Sequence, residues 1–169
     1  NREDLMMKKR MIASCLALVF AIAVFVGCGK DAQASKLEGS CEEILTKVYE
    51  NAKLDDELRE AMKYYQTTPI DETTAEYLLG TADVKYAEAV VSAPMMNAIA
   101  YQCVILRVAE GEDVEAAKKL LMDNANPRKW VCVEAESVVV ENVGDVILYI
   151  MADQTTADAV KTSFLALGE

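Results

Sequence analysis

The sequence predicts an α+β domain: a four-stranded, mainly antiparallel sheet with helices packed on one face, preceded by an N-terminal helix. Three observations predict it. The apolar residues recur at helical spacing early in the body, switch to strand-like runs, and later return to helical spacing. Tight-turn signals separate the strand-like runs, and strands joined that way pair antiparallel. The order helix, helix, strand, strand, helix, strand, strand, helix then leaves the helices to cover the sheet.

Ser40-Cys41-Glu42-Glu43 fits a capping box, in which Ser40 caps the helix and Glu43 reaches back. Cys41, Ile44, Leu45, Val48 and Ala52 follow on one helical face. Leu54 to Tyr65 reads as helical or turn-rich, with Leu58, Met62 and Tyr65 on one side, and Thr67-Thr68-Pro69 breaks it. Asp71 to Leu79 is a short helix stopped by Gly80. Glu88 to Ser92 is a short strand ended by Pro94. Ala98 to Ala109 is the strongest strand, with Ile99, Tyr101, Cys103 and Ile105 on one face and Ala100, Val104, Leu106 and Val108 on the other. Two apolar faces predict a central strand covered on most of its length. Glu110 to Asp113 turns the chain into a helix whose inner face is Val114, Ala117, Leu120 and Leu121, and Asn126-Pro127 ends it. Ser137–Val140 and Val146–Met151 form a hairpin through Asn142-Val143-Gly144-Asp145. Asp153 to Thr156 caps a last helix that presents Val160, Phe164 and Leu167.

The N-terminal quarter of the sequence reads as an address. Lys8-Lys9-Arg10 precedes an apolar run from Met11 to Val26, and Phe25-Val26-Gly27-Cys28 looks like a lipobox. Residues 1–27 are expected to be a lipoprotein signal peptide, with residues 1–6 read as an over-called start and the true start at Met6 or Met7. Cys28 is the expected lipidation site, and residues 28–39 a flexible tether. Phe25 departs from the usual leucine of that motif. Two acyl chains on Cys28 suffice for stable anchoring on the extracellular face of the cell membrane. Residues 40–169 form the single folded domain.

Charge and composition exclude several function classes. The whole chain carries a net charge of -11; residues 1–27 hold four basic and two acidic side chains, which leaves -13 on the remainder. Such a body gains nothing from counterion release on nucleic acid and is repelled by anionic lipid heads. There is no histidine, so the commonest general base and the most frequent zinc ligand are both missing. Cys41, Cys103 and Cys132 show no CxxC spacing; one disulfide among them competes with three small buried hydrophobes. Acidic clusters at Asp55-Asp56-Glu57, Glu110-Glu112-Asp113 and Glu134-Glu136 lack the ligand spacing of a calcium loop and fit solvated helix starts and strand edges. No nucleophile elbow, phosphate loop or dinucleotide fingerprint is present, and no catalytic residue, metal ligand or cofactor is assigned.

The lipobox, Tyr77-Leu78-Leu79-Gly80 with Asp83, Pro94-Met95-Met96-Asn97 before the long strand, Gly111-Glu112-Asp113-Val114 and the hairpin Val140 to Val146 together resemble a family of Firmicutes lipoproteins. It is family four-three-five-eight of the domain-of-unknown-function series. The resemblance runs from about Ile44 to Phe164, and Arg128 to Glu134 fits it least well. It implies a Gram-positive-type cell surface, no assigned activity and no functional residue.

Tyr64, Tyr65, Tyr77 and Tyr86 gather in one part of the chain, near Met95 and Met96, and Trp130 is the single tryptophan. Exposed together, such side chains make a partner or ligand surface. Buried, they fill a core beneath a loop-rich segment. The expected function is that of a non-catalytic binding module of the cell envelope, with a small-ligand-binding lipoprotein for transport or sensing as the alternative.

Overall fold

The structure is a computed structural model and describes residues 36–96 and 98–169; the leader, Cys28 and Asn97 lie outside the described residues. The described residues form one compact unit. Its elements are α1 (Cys41–Asn51), α2 (Asp56–Met62), β1 (Gln66–Pro69), α3 (Ala75–Leu79), β2 (Tyr86–Ala93), β3 (Gln102–Val108), α4 (Val114–Asp123), β4 (Ser137–Val143), β5 (Val146–Ala152) and α5 (Gln154–Ala166). The fold is α+β, and every strand pairing is antiparallel.

The sheet has five strands in the order β1-β2-β3-β5-β4, one more than the sequence predicts. The extra strand is the Gln66–Pro69 segment expected to be a break. It pairs with β2 from Gln66 opposite Ala93 to Pro69 opposite Val90, and all four residues are exposed. Proline is tolerated there because β1 is an edge strand that pairs on one side alone.

Helices cover both faces of the sheet rather than one. Period-2 alternation sends Cys103 and Ile105 of β3 to the side of α1 and α5, where they meet Ile44, Val48, Val160 and Phe164. Val104 and Leu106 point the other way, into a second layer with Leu79 of α3, Leu121 of α4 and Trp130. β3 is therefore central and apolar on both sides, as its sequence predicts. It starts at Gln102 rather than Ala98, and Ile99 is exposed.

Local chemistry sets the element ends. The Ser40 hydroxyl accepts from the Glu43 N–H at 3.2 Å, and the Glu43 carboxylate accepts from the Ser40 N–H at 3.0 Å, which closes the capping box. Asp55, Asp113 and Asp153 cap α2, α4 and α5 by accepting backbone N–H groups. The acidic clusters at the first two are thus helix starts. Gly80 ends α3 at φ 81, and a Cβ there would lie 2.1 Å from the Asn124 carbonyl oxygen at the end of α4. Only glycine allows that approach of the two helix ends. The β4–β5 loop is Gly144-Asp145, with Gly144 at φ 59 and Val143 opposite Val146.

The chain enters the body at one end of the sheet. Arg107 donates to Asp145 Oδ1 at 2.9 Å and to the carbonyls of Leu37 at 3.0 Å and Gly39 at 2.9 Å. Lys36 lies 3.9 Å from the Asp145 carboxylate. The entry segment is thereby held beside the β4–β5 turn and the C-terminal end of β3.

Candidate functional site

The exposed aromatic and methionine side chains collect at the opposite end. Gln66 pairs with Ala93, and Ser92 with Cys103, so the segments holding Tyr64, Met95 and Met96 leave the sheet where β3 begins. Strand rise puts this end about 20 Å from the Arg107 end across the seven residues of β3. Tyr64 is 78% exposed, Met95 74%, Met96 66% and Tyr77 58%. Exposed large side chains of this kind are candidates for an interaction surface.

Tyr77 and Trp130, distant in sequence, come together around a residue the sequence does not single out. The ammonium of Lys129 lies 4.6 Å from the ring centroid of Tyr77 and 5.7 Å from that of Trp130. It donates to the Tyr77 carbonyl at 3.3 Å and to Gln102 Oε1. Gln102 is buried at the first position of β3, and its amide donates to the Leu78 carbonyl at 2.9 Å. Lys129 and Gln102 thus satisfy two carbonyls in the last turn of α3, where the helix leaves its own acceptors unpaired. Burial pushes the Lys129 ammonium down to about 8. No carboxylate compensates it; among the described residues its neighbours are an amide, a carbonyl and two aromatic rings.

The remaining sequence candidates divide. Tyr65 turns inward, its ring 5.0 Å from that of Tyr101, whose hydroxyl shares a 2.8 Å hydrogen bond with Tyr49. Tyr65 is thus a wall of the α1-side core rather than part of the exposed surface. Trp130 is buried too, at 8% exposure, and acts as the floor of the Lys129 site. Tyr86 sits at the entry end, opposite Val108, with its hydroxyl donating to the Ile70 carbonyl at 3.3 Å. Seven positions read as one candidate surface therefore separate into four exposed side chains, two that pack into the cores on opposite faces of the sheet, and one residue at the far end.

Tyr86 borders a cleft of 760 Å³ with Ile70, Ala75, Val84 and the exposed Asp71, Glu72, Lys85 and Glu112. Hydrogen bonds from the Thr73 and Thr74 hydroxyls hold the Asp71 carboxyl below its usual value, all of them accepted by Oδ1 within its own turn. With four charged groups exposed at its rim, it lacks the enclosed apolar wall of a small-molecule site.

The cysteines differ from the expectation of three buried hydrophobes. Cys41 and Cys103 are buried and unpaired, and burial pushes both thiols up to about 12. Cys132 is exposed, with φ 61 in the segment after Trp130, and it too is a free thiol. Among the described residues no set of three or more His, Cys, Asp or Glu is placed to hold a metal ion, and no helix is long and apolar enough to cross a membrane.

No family model, curated protein or solved structure matches this chain.

Proposed function

We propose that this protein is a lipid-anchored surface module of the cell envelope that binds a protein partner through the end of its sheet bearing Tyr64, Tyr77, Met95 and Met96. One observation carries the reading: the polypeptide enters at the Arg107–Asp145 end, and the exposed aromatic and methionine side chains stand at the other end. A domain tethered through residues 28–35 has a reach of at most about 30 Å of extended chain to its anchor. Its entry end is then held toward the bilayer, and the apolar end is presented outward. The negative charge of the body acts in the same direction, because anionic lipid heads repel it. Tyrosine and methionine supply adaptable contact area at such surfaces.

Two measurements test the reading. Labelled palmitate should enter the wild-type chain and not Cys28→Ala, whose leader should stay uncleaved. Crosslinking in intact cells of the native host, followed by mass spectrometry, should recover one reproducible partner that is lost with Tyr77→Ala. Recovery of nothing above a control lipoprotein would overturn the binding role.

A further inference from the structure

We propose that Lys129 is a carboxylate-recognition site, taking the side chain of an aspartate or glutamate of the protein partner. The inference rests on the docking reading for the identity of its ligand. An ammonium has three N–H donors. Two are directed at Gln102 Oε1 and the Tyr77 carbonyl, and one is left for an incoming acceptor. The shell around it holds no negative charge among the described residues, although the chain is strongly acidic and most other lysine contacts here are with carboxylates, such as Lys118 with Glu115 at 3.1 Å and Lys161 with Asp158 at 3.3 Å.

Partial burial of an uncompensated cation costs stability, and an anion bound beside it recovers part of that cost. The number of free donors selects the anion. A single donor with a single charge matches one carboxylate, whereas a phosphate engages several donors at once. The rings of Tyr77 and Trp130 exclude water from one side, so a charge-assisted hydrogen bond formed there is stronger than one on an open surface. The acidic body does not prevent this contact. Its repulsion is screened beyond about 8 Å at physiological ionic strength, while the bond to Lys129 acts at about 3 Å. The same repulsion disfavours placing a partner's carboxylate elsewhere on the surface, which sets the register of docking at Lys129.

Trp130 is the single tryptophan of the chain, so its indole N–H resonance reports on this site without ambiguity. The full-length chain in detergent is titrated with N-acetyl-glutamate amide, with N-acetyl-glutamine amide and with inorganic phosphate, all at constant ionic strength. The glutamate compound is expected to shift the resonance saturably, and the other two are not. Lys129→Met should weaken the response at least tenfold with the fold retained. Should that variant fail to fold, Lys129→Gln, which keeps much of the stem and a polar end without the charge, should weaken the response in the same way. Equal shifts with acid and amide, saturable binding of phosphate, or a response that survives both substitutions would each overturn the assignment. Crosslinking separates this from the docking reading. A partner lost with Tyr77→Ala yet retained at full yield with Lys129→Met sinks the carboxylate site alone. Carboxylate binding without any partner sinks the docking role alone.

Discussion

Lys129 is fixed against Tyr77 twice over, by a hydrogen bond to its carbonyl at 3.3 Å and by the face of its ring at 4.6 Å. The first contact belongs to the fold, since it satisfies the end of α3. The second keeps the ring of an exposed tyrosine in place and is worth about 0.5–2 kcal/mol. One side chain therefore joins the stability of α3 to the shape of the candidate docking surface.

The charge state of Lys129 links stability to pH. Its ordinary value is 10.5, and in the folded chain it is lowered to about 8. Below pH 8 the amine is charged in both states, and the desolvation cost is present in full. Between about 8 and 10.5 the folded chain has released a proton that the unfolded chain still holds, so this group makes stability rise with pH. Cys41 and Cys103, raised from 9.0 to about 12, act the other way above pH 9, because the unfolded chain loses those protons first. Subtracting the Lys129→Met curve from the wild-type curve cancels the cysteines. The difference, followed by urea unfolding from pH 7 to 10.5, should rise by about 1 kcal/mol after allowance for partial solvent screening. A flat difference would show that Lys129 is solvated.

Gly80 and Gly111 share a left-handed backbone, at φ 81 and φ 85, but differ in surroundings. A Cβ at Gly111 meets nothing within 4 Å, whereas one at Gly80 would strike the Asn124 carbonyl at 2.1 Å. Gly111→Ala should cost about 1 kcal/mol from conformation alone. Gly80→Ala should cost about 2–4 kcal/mol, because α3 and α4 must also move apart. Equal losses in chemical denaturation would show that the close approach is absent.

Much of this local chemistry can be read in the sequence. Ser40 with Glu43, Gly80, and Gly144 with Asp145 each act within a few residues, so their roles follow from spacing. β1 does not, because Gln66-Thr67-Thr68-Pro69 is exposed on both sides and has no apolar alternation; only its pairing with β2 makes it a strand. The two apolar faces of β3 imply cover on both sides, but helical spacing does not say which face a helix covers, and α3 and α4 both lie in the second layer. Lys129 gives no local signal beyond its place next to Trp130. Its burial is built by Tyr77 and Gln102, 52 and 27 residues away in the chain. Tyr86 looks like its fellow tyrosines in sequence and is separated from them only by the antiparallel course of β2.

Arg107 holds the entry segment by two carbonyl contacts, to Leu37 and Gly39, and is itself anchored by an ionic contact to Asp145. Arg107→Met keeps the apolar stem and removes all three. We expect a loss of about 1–3 kcal/mol and faster proteolysis at residues 36–40, with the β3–β5 pairing retained. Unchanged cleavage of that segment would mean that Arg107 does not fix the point of entry.

The three body cysteines should separate by reactivity. Cys132 is exposed and should react with a maleimide in the native state, while Cys41 and Cys103, buried and protonated, should react only on unfolding. Mass spectrometry of the digested protein assigns the label. Native labelling at Cys103 would contradict its place in the centre of the sheet.

The most direct test of the account is site-specific photo-crosslinking in cells of the native host, with a benzophenone amino acid placed in turn at Tyr77, Met96 and Tyr86. The same protein should be captured from Tyr77 and Met96, at the outward end, and not from Tyr86, at the entry end. Capture from Tyr86 as efficient as from Tyr77, or capture from none of the three, would contradict it.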